Sequence, residues 1–254
     1  MFNKKLLAKN RLCQNSINPG ESEFVKFIID DQLDRLLQIN RKFKNILLIN
    51  PLLSDYFTDS LKASYGSINI TSIELDDITT IHKTGFDLIV MPFFIHWVDD
   101  VQKLLGLISL VIDEDGIFAA NFPGERSLHN LRMKLFELES DCMKTHTPHI
   151  IPFITLKQVP ALLSHAGFSE VITDIEEIEL ERKNILSFMK MLKDLGQSNA
   201  MHDCVKYSIN KTMYQNLKLV ENNTPFVDKV NLISFIASKK KNSIKLSQDY
   251  YAPH

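Results

Sequence analysis

Three small groups of residues in this 254-residue chain have types and spacing suited to chemistry. The first is His96-Trp97, which follows the continuous apolar run Asp87-Leu88-Ile89-Val90-Met91. Such a run reads as a strand buried on both faces of a parallel sheet. Pockets of α/β sheets open at the carboxyl ends of their strands. There, Trp97 and the preceding Phe93 would line a pocket, and His96 would serve as a base or hydrogen-bond donor. The plainer reading of Phe93, Phe94 and Trp97 is core packing. The second group is His146 and His149, on either side of Thr147-Pro148. Two histidines three apart bind metal from a helix, but the proline opposes that geometry and no cysteine or carboxylate pair completes a set, so no metal is expected. His96 and His149 remain the candidate catalytic residues. The third group, Arg126 and Arg132, offers cations for an acidic partner, against the alternative of a solvated helix face.

An absence matters as much. No glycine lies between Gly20 and Gly66. Within that stretch Asn45-Ile46-Leu47-Leu48-Ile49 reads as a first strand, and Asn50-Pro51-Leu52-Leu53-Ser54 follows it. A nucleotide cofactor meets the backbone at such a first strand-to-helix turn, where glycines permit close approach. Here Pro51 has no N–H to offer, and the leucines add bulk. GxSxG and Walker motifs are absent, and no Cys-His pair stands out, so hydrolase and NTPase readings have no support.

The elements that must position these residues alternate. Residues 23–39 repeat Phe24, Phe27, Ile28, Leu33, Leu36 and Leu37 at helical spacing. Strands are expected at 45–49, 67–75, 87–91 and 117–120, with helices at 53–63 and 98–112 between them and a polar turn at 113–116. This alternation is the mark of an α/β parallel sheet. Beyond it, helices are expected at 128–143, 156–166, 185–195 and 205–220, and strands at 170–174 and 232–237. Gly167 is a natural helix terminator. Glu176, Glu177, Glu179 and Glu181 alternate with Ile178 and Leu180, as on the solvent face of an edge strand.

Composition sets the outer limits. With 44% hydrophobic and 24% charged residues, the chain is large enough for a proper core. A net charge of −2 argues against a nucleic-acid footprint. Cys13, Cys142 and Cys204 are scattered and odd in number, which indicates neither a disulfide framework nor a zinc site, and points to a reducing compartment. No apolar run reaches the roughly 18 residues of a membrane span. Residues 1–16 are basic and acid-free and read as a surface arm or helix rather than a targeting peptide.

Several segments together carry a resemblance. They are Phe2-Asn3-Lys4-Lys5-Leu6-Leu7, Gly85-Phe86-Asp87-Leu88-Ile89-Val90 with His96-Trp97, Gly124-Glu125-Arg126-Ser127-Leu128 with Leu131-Arg132, Pro148-His149-Ile150-Ile151-Pro152-Phe153, Ala166-Gly167-Phe168 and Leu195-Gly196-Gln197-Ser198-Asn199. In this order they resemble the branch of class I S-adenosylmethionine (SAM) dependent methyltransferases that includes the biotin-pathway malonyl-carrier-protein methyltransferase and mitochondrial complex I assembly factor 5. The resemblance implies a Rossmann-like α/β fold in a single domain over residues 1–238. It comprises an N-terminal arm and helix (1–44), a helical substrate-side insertion (122–155) and a basic tail (239–254) expected to be disordered. It implies SAM as cofactor, bound by residues aligned with Asn50, Pro51, Glu74, Asp76, Phe93 and Trp97, and it places Pro148-His149 in a loop over the substrate face.

Two departures qualify it. The family's glycine-rich loop aligns with residues 47–54, where every glycine is gone. The span from Ile46 to Phe86 is only 40 residues, whereas three strand–helix units need roughly 60. The sheet should therefore be short by one unit, with 67–75 read as the family's third strand and the second lost, leaving Glu74 and Asp76 as the acids available for a ribose. The expected function is a methyltransferase-like pseudoenzyme with weak or no SAM binding, an assembly or interaction factor of the complex I type. Its partner would be a complex I subunit-like protein or a carrier protein, in the bacterial cytoplasm. The basic stretch from Lys239 to Lys245 permits peripheral contact with the inner membrane. An active malonyl-carrier-protein-type methyltransferase is the alternative.

Overall fold

The computed structural model describes residues 1–14, 19–81, 84–143, 148–202, 211–220 and 225–246. Its elements run α1 (Lys4–Gln14), α2 (Pro19–Leu37), β1 (Asn45–Ile49), α3 (Ser54–Tyr65), β2 (Asn69–Ile73), a 3-10 turn (Leu75–Thr80), β3 (Phe86–Pro92), a short 3-10 turn (Ile95–Trp97), α4 (Val101–Val111), β4 (Ile112–Pro123), α5 (His129–Met143), α6 (Gln158–His165), β5 (Glu170–Arg182), α7 (Ile185–Asp194), α8 (Lys211–Val220) and β6 (Phe226–Ser238). Where a single domain was expected, the chain divides into two compact units. One comprises Met1–Ser22, Pro123–Phe153 and Glu176–Leu232, the other Glu23–Phe122, Ile154–Ile175 and Ile233–His254. Residues 1–22 and 123–153 fall in the first of these units, and residues 23–44 in the second.

The second unit holds β1, β2, β3 and β4 as far as Phe122; the sheet's six strands lie in the order β2-β1-β3-β4-β6-β5. β1 pairs in parallel with β2 on one side and β3 on the other, and β3 pairs in parallel with β4. The chain therefore reverses its direction of travel across the sheet between β1 and β3, the kind of switch point at which open α/β sheets bind ligands. The sheet is one strand–helix unit short, as the spacing required, and only a 3-10 turn and its flanks connect β2 to β3. β2 lies directly against β1 over all five of its residues. This corrects the expectation that 67–75 is the family's third strand and the second is lost: the strand sits directly against β1, in the second-strand position, and the sheet ends where a further strand would continue.

Residues 113–116, expected as a turn, lie inside β4. The β3–β4 register passes from Phe86↔Ile112 to Leu88↔Ile117, so extra residues bulge out of the ladder. Gly116 fits there because a Cβ would stand 2.6 Å from the Ile112 side chain and 2.9 Å from the Phe86 carbonyl. The core of this unit joins Phe118 to Phe168 and Phe235, and Phe235 to Phe122. α2 is tied to the sheet by the Asn121 side-chain amide, which donates to the Ile28 carbonyl at 3.0 Å. It is tied again by Arg35, which bridges Asp31 and Asp174.

The tail is a correction. Residues 239–246 are held, not loose. Lys239 Nζ donates to the carbonyls of Ser109 and Ile112 and pairs with Glu114. The N–H groups of Ser243 and Ile244 donate to the Glu170 carboxylate, and Leu246 bridges Ile39. Of the lysines that suggested a solvated tail, Lys239 instead meets the carbonyls at the α4–β4 junction and Glu114, while Lys240, Lys241 and Lys245 are exposed. Residues 247–254 lie outside the described residues.

In the first unit α5 packs on α8, and α7 on both α1 and α8. Asn184 and Ser187 form a reciprocal capping box at the start of α7. Asp228, buried in β6, accepts the N–H groups of Asn130 and Leu131 and so caps the start of α5. Phe2 bridges Met201, which secures the N-terminal arm. The expected helix over 205–220 is seen as α8, and residues 203–210 lie outside the described residues.

Candidate functional site

Strand β1 is apolar because it is buried on both faces, and it delivers Asn50 to the switch point. Asn50 adopts a left-handed backbone (φ +47°), a conformation that asparagine tolerates better than most residues. Its N–H donates to the Ile73 carbonyl at 2.9 Å, and its side-chain oxygen accepts the Leu75 N–H at 2.8 Å. Asn50 thus clamps the carboxyl ends of β1 and β2 together. Its Nδ2 is buried and meets no partner among the described residues. Pro51 follows, then the buried Leu52, then Leu53, again left-handed (φ +41°) and starting α3 with no side-chain cap. The turn therefore keeps two left-handed residues, the geometry that glycine serves, without any glycine.

Phe93 leaves β3 with φ +48°. Its N–H is shared between the backbone and side-chain oxygens of Asn121, both at 2.9 Å. An aromatic series runs from here: Phe24 edge-on to Phe93 at 6.0 Å, Phe93 to His96 at 5.3 Å, and His96 to Trp97 at 5.2 Å. Phe93, Phe94, Ile95, His96 and Trp97 are each no more than 5% exposed. Asp100 then caps α4 by accepting the Lys103 N–H. Glu74 is exposed and extended at the end of β2, and Asp76 lies in the 3-10 turn that follows.

The residues expected at a cofactor site, Asn50, Pro51, Glu74, Asp76, Phe93 and Trp97, therefore all stand at the carboxyl ends of β1, β2 and β3, and His96 stands with them. His149 belongs to the first unit. There it lies in a loop held from three directions. Asn199 donates to the carbonyls of Pro148 and His149, and Arg132 donates to those of Ile150 and Ile151. Glu139, 1% exposed, stands 3.5 Å from the His149 ring. Burial pushes the Arg132 pKa down, and its guanidinium is spent on the loop carbonyls. That use differs from the acidic-partner role weighed for it. Arg126 is exposed, and His146 lies outside the described residues. Sequence reading missed Asn121, Glu139 and Asp228. Asn121 is a lone polar residue in the apolar run 117–122, which is a signal that would have found it; Glu139 and Asp228 have charged or polar neighbours in sequence and carry no such signal. Among the described residues no group of three His, Cys, Asp or Glu side chains gathers to hold a metal.

No model of a protein family matches the sequence. The chain is 41% identical over 208 residues to a Rickettsia prowazekii protein named as a methyltransferase, covering 75% of this chain and 91% of that one. It is 31% identical over 141 residues to the mitochondrial arginine-hydroxylase NDUFAF5 of Mus musculus, covering 56% of this chain but 40% of the mouse protein. The fold matches the crystal structure of a Bacillus halodurans protein described as a methyltransferase, with a TM-score of 0.51 and 12% identity over 84% of this chain and 99% of that one. With the switch point, the parallel pairing of β1 to β4 and the Rickettsia prowazekii relative in agreement, this chain belongs to the methyltransferase-like family, with a Rossmann-like class I methyltransferase fold.

Proposed function

We propose that this protein is a family member with a degraded SAM site, acting as a non-methylating assembly or interaction factor of the respiratory complex I assembly type. The observation that carries the reading is the turn at Asn50-Pro51-Leu52-Leu53. A turn that cradles the methionine end of SAM presents backbone N–H groups to it. Here the Asn50 N–H is committed to Ile73, Pro51 has none, and Leu52 is packed into the core. The residues present do not fit that cradle. Losing two polar anchors at roughly 1–3 kcal/mol each takes a micromolar ligand toward millimolar. The aromatic series through Phe93, His96 and Trp97 is buried and serves as packing in this reading. The kinship with NDUFAF5, named an arginine-hydroxylase, supports a protein partner. Among the described residues no helix is long and apolar enough to cross a membrane. The protein would work in the bacterial cytoplasm, in peripheral contact with a membrane complex.

One observation favours a second reading, an active SAM-dependent methyltransferase of the malonyl-carrier-protein type. Asn50 and Leu53 keep the left-handed backbone of a glycine-rich turn. Calorimetric titration with SAM and with S-adenosylhomocysteine, beside an intact family member, separates the two. No heat up to millimolar ligand supports the first reading. Micromolar binding overturns it and sends the search to methyl acceptors.

A further inference from the structure

The two edges of the sheet are built differently. Strand β5 ends one side, and from Glu170 to Arg182 it carries Asp174 and five glutamates, a charged edge of the kind that discourages pairing with another strand. Strand β2 ends the other side and reads Asn-Ile-Thr-Ser-Ile, with no charge, no proline and two β-branched isoleucines.

The hydrogen bonds of β2 show which way its backbone faces. The Asn69 N–H donates to Lys44, and the Ile73 carbonyl accepts from Asn50, so residues 69, 71 and 73 turn their polar groups toward β1. Alternation along a strand then turns the N–H and C=O of Ile70 and Ser72 away from β1, at the open edge. Charge is divided between the two ends of this edge. Lys42 and Lys44, both exposed, precede β1 beside the amino end of β2, where the Asn69 N–H donates to the Lys44 carbonyl, and exposed Glu74 lies at the carboxyl end of β2.

We propose that β2 is a self-pairing edge, joining β2 of a second copy of this chain in antiparallel register about a two-fold axis at Thr71. In that register Thr71 faces Thr71 of the second copy as a non-hydrogen-bonded pair. Ile70 faces Ser72 of the second copy and exchanges both backbone bonds with it, which matches the outward-facing groups. The threonine pair is a favourable cross-strand match, and no like charges meet inside the strands. The antiparallel sense also brings the acidic end of each strand to the lysine-bearing end of the other. A parallel arrangement would put acid beside acid. Self-pairing of this kind is isologous and closes at two copies.

The test is the mass of the full chain in solution by light scattering and sedimentation over a range of micromolar concentrations. Twice the mass of one chain is expected, and a monomer throughout overturns the proposal, whether or not an unrelated extended peptide binds the same edge. Ser72→Pro removes an outward N–H and leaves the β1 ladder intact. It should weaken dimerisation at least tenfold while the far-UV circular dichroism spectrum stays that of the folded wild-type chain, and a dimer of undiminished affinity would place the interface elsewhere. Thr71→Cys decides the matter independently of any folding defect in the proline variant. Non-hydrogen-bonded partners stand about 4.5 Å apart at Cα, within disulfide reach, so mild oxidation should give a covalent dimer in high yield. Cross-linking no greater than that of the wild-type chain, with its three native cysteines, counts against the register.

Discussion

At the end of β1 the chain secures itself from within, whereas the loop at 148–151 is secured by side chains that come to it. Asn50 uses its own N–H and its own side chain to join two strand ends. The loop residues contribute mainly carbonyls, and Arg132, Asn199 and Glu139 reach in from α5 and from the segment after α7. Both regions fall on segments that resemble the family. The first departs from the family's glycine-rich pattern yet holds two left-handed residues, Asn50 and Leu53; the second keeps the Pro148-His149 segment that resembles the family. A turn held by the Asn50 N–H and side chain tolerates Pro51 and Leu52 beside it, because neither residue is needed to join the strand ends. A loop that depends on imported donors has no such freedom.

The comparison breaks most sharply at Arg132. Replacing it with methionine, which keeps the stem, leaves the Ile150 and Ile151 carbonyls without their charged donors. Unfolding in urea should show a loss of about 2 kcal/mol, with earlier protease cleavage near residue 150. Arg132→Lys should recover less than half of that, because an ammonium does not span two carbonyls as a planar fork does. A loss below about 0.5 kcal/mol would mean that the loop needs no imported donor, and the contrast would lapse.

At the end of β1 the expected effect is smaller. Asn50→Ala removes the acceptor for the Leu75 N–H and places an alanine at φ +47°. A cost of about 1.5 kcal/mol follows from one lost bond and a strained left-handed residue. Asn50→Gly keeps the backbone unstrained and should cost roughly half as much. Equal costs for the two variants would show that the side-chain bond, not the conformation, holds this turn.

Much of this division was legible beforehand. The alternation of apolar runs and helical stretches gave β1, β3 and α3 to within a few residues, because a buried parallel strand has few other ways to be written. The missing glycines identified the turn. The β4 bulge was hidden, since Asp113-Glu114-Asp115-Gly116 is polar like a turn and only the register against Phe86 and Leu88 shows it as strand. The 148–151 clamp was hidden for another reason. Arg132, Glu139 and Asn199 are far apart in sequence, and an arginine that donates to carbonyls looks in sequence like an arginine awaiting an anion. The tail misled in the same way at Lys239, which suggested solvent and instead meets Ser109, Ile112 and Glu114.

The smallest effect sharpens the comparison most, because its sign is reversed. Leu53 holds φ +41° and ψ +59° at the start of α3, with no side-chain cap to reward it. A left-handed L-residue carries roughly 1–2 kcal/mol of strain. Glycine relieves that strain, although it gives part of the gain back through the greater freedom of the unfolded chain. Leu53→Gly should therefore raise stability by up to about 1 kcal/mol, read as a small increase in the urea midpoint at unchanged slope. A gain would mean that the turn still bears the cost of a glycine-shaped backbone built from other residues. A loss would mean that the Leu53 side chain packs well enough to offset its strain, and that the turn has settled into a core of its own.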